Sequence, residues 1–217
     1  MKSAKGRIGL VIKRLEKRYG KQVSEWWRGR ELTDPWELLV ATMLSAQSTD
    51  AQVDRALPAL FKRYPSVNSY VGLKPSDLYP YVKSIGIYRN KAKNIVGAAK
   101  YIHQNFGGRV PKSMDSLTQL PGVGRKTANI ILANAFGKLE GIAVDTHVAV
   151  TSNRLFLFHT KDAAKIEKQL MGFVPRDEWN NINHLLIALG RDVCTARRKY
   201  CEDCVLSDIC PSSEVKT

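Results

Sequence analysis

The sequence predicts an all-α fold, on three observations. Nearly every periodic segment repeats its apolar groups at helical spacing, and no stretch shows the alternation of a strand. Pro35, Pro65, Pro75, Pro111, Pro121 and Pro175 fall near segment starts or in the turns between them. The helical segments run in order over 9–17, 36–46, 51–63, 77–83, 91–104, 127–136, 165–173 and 179–189. Pro35 precedes the second, Pro75 the fourth and Pro175 the last, while Pro65 follows the third. Residues 127–136 carry apolar groups at helical spacing, with Gly137 as a stop signal. Asp145-Thr ahead of Val148-Ala-Val also fits a helix start capped by the aspartate.

At 217 residues and 44% hydrophobic content the chain can bury one or two modest cores. Thirty-four Lys and Arg against twenty Asp and Glu give a net charge of +14, which favours a polyanionic partner, nucleic acid first. A merely soluble basic surface is the plainer reading. Near the start, Ile8-Gly-Leu-Val-Ile12 is too short for a signal sequence and is soon interrupted by Lys13 and Arg14. No apolar run approaches the ~18 residues of a membrane span. An intracellular, cytoplasmic or nucleoid-associated protein is expected, with no membrane partner.

The most informative stretch is Leu120-Pro-Gly-Val-Gly-Arg-Lys-Thr-Ala128, followed by Val144-Asp-Thr-His-Val148. Pro121, Gly122 and Gly124 can form a tight turn whose N–H groups open a helix, an arrangement suited to phosphate oxygens. Arg125 and Lys126 then fall in the first helical turn, where the macrodipole disfavours cations; an anion nearby removes that conflict. Taken singly, the turn merely connects elements, Lys126 is a solvated lysine and Asp145 is a cap. Together, an amine, a carboxylate and a phosphate-binding turn point to covalent amine chemistry beside a phosphate backbone.

All four cysteines lie in the last twenty-four residues, as Cys194-x6-Cys201-x2-Cys204-x5-Cys210. In an intracellular protein such a cluster reads as metal ligands, and the spacing alone leaves zinc and an iron–sulfur cluster both open. Thr195-Ala-Arg-Arg-Lys-Tyr200 runs between the first two thiols. Pinning that loop at both ends reduces the entropy lost when Arg197, Arg198 and Lys199 are ordered on an anion. Charge compensation for the thiolates is the alternative role.

From Trp36 through Cys210 the chain resembles the helix-hairpin-helix DNA glycosylases, and within them the endonuclease III branch. The resemblance implies two helical domains: a six-helix barrel over 29–139, and a second domain built from 1–28 and 140–217. The active site is then expected in the cleft between Lys126 and Asp145, and a monomer is expected to act on double-stranded DNA with damaged bases or abasic sites. It also implies that the four cysteines hold a [4Fe–4S] cluster with no part in bond breaking, and that the 195–199 loop meets the DNA backbone. A faint echo of the hairpin, Ser84-Ile-Gly-Ile-Tyr-Arg-Asn-Lys-Ala92, reads as a second helix entry.

A base inside duplex DNA is out of reach, so the nucleotide must be extruded. By resemblance Ile87 is the apolar wedge and Gln47 fills the gap, the plainer readings being a core residue for Ile87 and a solvated helix end for Gln47. Attack on C1′ needs a neutral amine, whereas a free lysine has a pKa of about 10.4. Arg125 and the helix N-terminus are expected to depress that of Lys126, while Asp145 opposes them. The implied activity is removal of oxidised pyrimidines through a Lys126 Schiff base, with β-elimination 3′ to the site. Asp50 and His147 match positions near the pocket.

The family commonly carries an Arg three residues after the His of Val-Asp-Thr-His; here Val150 stands there. That removes one positive group and bears on a local anion or helix-end contact. Two rivals remain: a non-enzymatic helix-hairpin-helix DNA-binding protein with a zinc site, and a mismatch-specific glycosylase of the same superfamily. The lysine with its downstream aspartate discriminates against the first. Adenine-mispair relatives lack the lysine, and thymine-mismatch relatives usually replace it.

Overall fold

The computed structural model describes residues 4–28, 32 and 34–215. Among them there is no strand, only an isolated bridge between Cys194 and Lys199. No helix among them is long and apolar enough to cross a membrane. The chain divides into two compact units, Leu32–Glu140 and the combination of Met1–Glu31 with Gly141–Thr217. The expected boundary at residue 29 lies outside the described residues.

In the first unit, α2 (Pro35–Ser45) starts where Asp34 accepts from the N–H groups of Trp36 and Glu37 at 2.9 and 3.0 Å. Seven of its eleven residues are buried, which makes it the central helix of this core. α3 (Asp50–Arg63) opens on a reciprocal capping box between Thr49 and Gln52. Then follow α4 (Val67–Val71), a 3-10 turn (Pro75–Leu78) and α5 (Tyr79–Val82). The single helix expected over 77–83 is thus broken in two. Pro80, in the first turn of α5, has no N–H to carry a ladder across from the preceding turn. α6 (Tyr88–Phe106) buries Ala92, Ile95, Val96, Ala99 and Ile102 along one face and ends at Gly107. α7 (Met114–Thr118) leads to α8 (Arg125–Phe136), stopped by left-handed Gly137.

In the second unit, α1 (Ala4–Arg28) extends well beyond the expected 9–17, because Tyr19 and Val23 continue the buried face of Val11 and Leu15. α9 (Thr146–Phe156), α10 (Ala163–Met171), a 3-10 turn (Arg176–Glu178) and α11 (Trp179–Asp192) complete the bundle, with α11 packed on α1 and α9. Each fully buried leucine, such as Leu15, Leu185 and Leu186, contributes about 1.5–3 kcal/mol. The buried Arg7 side chain donates to Ile209 O at 2.6 Å and Leu155 O at 3.1 Å. Arg14 pairs with Asp208 and donates to Val205 O. These contacts fasten α1 to the cysteine-bearing segment.

Candidate active site and metal centre

Leu117, Leu120 and Val123 are buried and anchor the hairpin from below. Backbone bonds from Leu120 N to Leu117 O and from Val123 N to Leu120 O close the turn at 3.1 and 3.0 Å. Gly122 has φ +78°, and a Cβ there would lie 2.6–2.8 Å from the Asn94 side chain, so both the conformation and the space demand glycine. Pro121 packs against Gly97 of α6, where an added Cβ would lie 3.3 Å from the proline ring. The hairpin is therefore held at the surface with Gly122, Gly124, Arg125 and Lys126 all exposed. Gly124 is the N-cap of α8 and supplies no side-chain acceptor to the opening N–H groups. Lys126 follows two residues later, in the first turn.

Gln47, Ile87 and Gly122 line one pocket of about 230 Å³ with Met43, Ala46, Asn90, Lys91 and Asn94. Gln47 and Ile87 have φ of +53° and +55°. Left-handed backbone costs about 1–2 kcal/mol at a residue with a Cβ, and a β-branched isoleucine there is an outlier. Ile87 is 52% exposed, which removes the core reading considered for it. Asp50 is exposed at the start of α3 and is not among the pocket's lining residues.

In the other unit Asp145 is the N-cap of α9, its Oδ1 accepting from Val148 N at 2.8 Å. Its second oxygen takes no hydrogen bond among the described residues. His147 packs on Gly190 of α11, where an added Cβ would lie 2.9 Å from the His147 Cβ. Behind them sits buried His184, its pKa lowered to about 4 by desolvation, with Asp145 opposing.

Cys194, Cys201, Cys204 and Cys210 line one cavity with Arg154, Leu155, Leu189, Val193 and Tyr200. Among the described residues no group of three or more His, Cys, Asp or Glu is arranged to hold a metal ion. Burial pushes the Cys204 thiol up to about 11 and that of Cys210 upward as well. Arg154 Nη1 donates to Cys194 Sγ at 3.3 Å and to Thr195 O at 2.8 Å. Sequence reasoning missed this arginine, one helical turn beyond Val150, because its partners lie forty residues away.

The 195–199 loop is braced by Tyr200 N on Val193 O and by paired bonds between Thr195 Oγ1 and the Arg198 backbone. Arg197 and Arg198 are exposed, and the Arg198 guanidinium lies 4.7 Å from the Tyr200 ring centre. Lys199 turns away to pair with Glu214 at 2.6 Å and with Ser212 O at 3.1 Å.

Residues 40–176 match the HhH-GPD superfamily of base excision DNA repair proteins. Endonuclease III of Synechocystis sp. is 47% identical over 180 residues, covering 83% of this chain and 82% of that protein. Endonuclease III of Bacillus subtilis is 46% identical over 179 residues, covering 82% and 81%. A solved endonuclease III–DNA covalent intermediate, trapped in an estranged-adenine complex, superposes with a TM-score of 0.85 at 36% identity over 97% of each chain. A thermostable thymine-DNA glycosylase shares the fold, with a TM-score of 0.77 at 22% identity over 93% of this chain and 98% of that one. With its sequence matched over most of its length and its helices superposed on a solved relative, the chain belongs to the endonuclease III branch of the HhH-GPD superfamily.

Proposed function

We propose that this chain is a bifunctional DNA glycosylase and abasic-site lyase of base excision repair, acting on oxidised pyrimidines in duplex DNA. The observation that carries this reading is Lys126, exposed in the first turn of α8 directly behind the hairpin that Gly122 shapes. The hairpin N–H groups and Arg125 hold a phosphate of the damaged strand. Ile87 enters the duplex as a wedge, and Gln47 occupies the space vacated by the extruded nucleotide.

The neutral Lys126 Nζ attacks C1′; the N–C1′ bond forms as the glycosidic bond breaks, and the base leaves with a proton. Asp145, oriented by the Val148 N–H, assists deprotonation and stabilises the positive charge that develops on the sugar. The C1′–O4′ bond then breaks as O4′ takes up a proton, opening the sugar ring and leaving Lys126 joined to C1′ as an iminium, which acidifies the C2′ proton. Loss of that proton expels the 3′ phosphate, and water releases the enzyme from the unsaturated aldehyde.

Cys194, Cys201, Cys204 and Cys210 would hold a [4Fe–4S] cluster, a reading supported by their shared cavity and the Arg154 donor. Bound there, the cluster would serve a structural role, tying the ends of the loop that presents Arg197 and Arg198 to the DNA backbone. Lys199 adds to the positive field while anchoring Glu214.

The test is a duplex oligonucleotide carrying one oxidised pyrimidine, or one abasic site. Base release and a break 3′ to the site are expected. Tight binding with neither would favour a non-enzymatic DNA-binding protein.

A further inference from the structure

The mechanism makes no use of a second lysine, Lys91, although it is only 7% exposed and lies in the wall of the Gln47 and Ile87 pocket. Its Nζ donates to Leu44 O and to Ser48 Oγ, both at 2.8 Å. Leu44 belongs to the last turn of α2, whose carbonyls have no helical donor, and Ser48 follows Gln47 directly. The Lys91 backbone N–H donates to Ile87 O at 3.2 Å. The Lys91 side chain thus ties the Gln47 loop to α6, whose opening helical bond reaches back to Ile87.

The backbones beside the tips also run close together. A Cβ on Gly86 would lie 2.9 Å from Gln47 O, and Gln52 Nε2 donates to Ser84 O at 2.9 Å. Both exposed residues sit in left-handed backbone, which persists only where the surroundings over-determine it. Burial lowers the Lys91 pKa, yet both acceptors are neutral oxygens, so the amine donates in either protonation state.

We propose that Lys91 is a positioning residue that holds Gln47 and Ile87 as one preformed pair, so that both enter a DNA duplex without first having to be ordered. The inference rests on the roles proposed above for those two tips. It predicts that the cost of losing Lys91 appears only where a duplex must be opened.

The experiment compares excision of an oxidised pyrimidine from duplex DNA with strand cleavage at a ready-made abasic site in single-stranded DNA. Lys91→Met, which keeps the stem and removes the donors, should slow the first by roughly tenfold to a hundredfold and leave the second within about twofold. Ser48→Ala, which removes one acceptor near the surface, should act in the same direction more weakly. Lys91→Arg, which retains donors, should recover part of the loss. Adding Lys91→Met to Ile87→Ala should cost little beyond Ile87→Ala alone, since both act through one element.

Equal loss on the two substrates, or full additivity with Ile87→Ala, would overturn the positioning role. If Lys91→Met does not fold, a Ser48→Ala protein with unchanged duplex excision would overturn it as well. Failure of the underlying reading looks different: wild-type protein would cleave neither substrate, or Ile87→Ala would leave duplex excision unchanged.

Discussion

Gly122 lies so close to Asn94 that a Cβ on it would stand 2.6 Å from the Asn94 amide nitrogen, at a φ of +78° that side-chain-bearing residues rarely adopt. Gly122→Ala should therefore cost about 1–3 kcal/mol of stability and weaken DNA binding, because the hairpin must shift. Adding Asn94→Ala should recover the steric part and leave the conformational part. Urea unfolding and DNA titration of the three variants measure both, and a fully stable Gly122→Ala protein would contradict the account.

Much of this arrangement was legible in the sequence, for reasons that differ by residue. Pro121, Gly122 and Gly124 announce a turn because their backbone freedom is local, and Gly137 announces a helix end in the same way. The five-residue helices α4 and α7 were not legible, since so short a segment shows no periodicity. Asp145 was open to two readings, cap and catalyst, and its geometry satisfies the first without excluding the second. Lys91 stood inside the recognised echo of the hairpin, but its acceptor Leu44 is 47 residues away, and no local pattern signals such a pairing. In sequence Lys199 is equivalent to Arg197 and Arg198, and only the fold brings Glu214 beside it.

Stability should depend on pH through His184. Burial lowers its pKa from 6.5 to about 4, against the pull of Asp145. Above 6.5 the imidazole is neutral in the folded and unfolded chains alike, and its contribution is fully present. As pH falls from 6.5 to about 4 only the unfolded chain gains the proton, so up to about 3 kcal/mol is lost across that window. His184→Gln should flatten the stability–pH curve between these limits relative to wild type; parallel curves would argue against the assignment.

The cysteine cavity should yield a yellow-brown protein with broad absorbance at about 400 nm and about four irons per chain. Replacing any one of Cys194, Cys201, Cys204 or Cys210 by Ala should lower the iron content and loosen the 195–199 loop, seen as faster proteolysis there. Stoichiometric zinc without iron after anaerobic preparation would return the site to a mononuclear metal.

DNA affinity should fall steeply with salt as counterions are released from the backbone. Replacing Arg197 and Arg198 together by Ala should make the log–log slope shallower by roughly one to two. Lys199→Ala should change the slope less than either arginine does, because its ammonium is held by Glu214. A slope unaffected by the double arginine substitution would mean that the loop serves the thiolates alone.

Borohydride reduction during incubation with a duplex containing an oxidised pyrimidine tests the central claim most directly. An imine between Lys126 and C1′ should be frozen as a covalent protein–DNA adduct, and peptide mapping should place the link at Lys126. Lys126→Gln should abolish adduct and strand cleavage while retaining DNA binding, since one cation among many is removed. Asp145→Asn should bind DNA and turn over far more slowly. An adduct mapped to another amine, or base release by Lys126→Gln at the wild-type rate, would contradict the account.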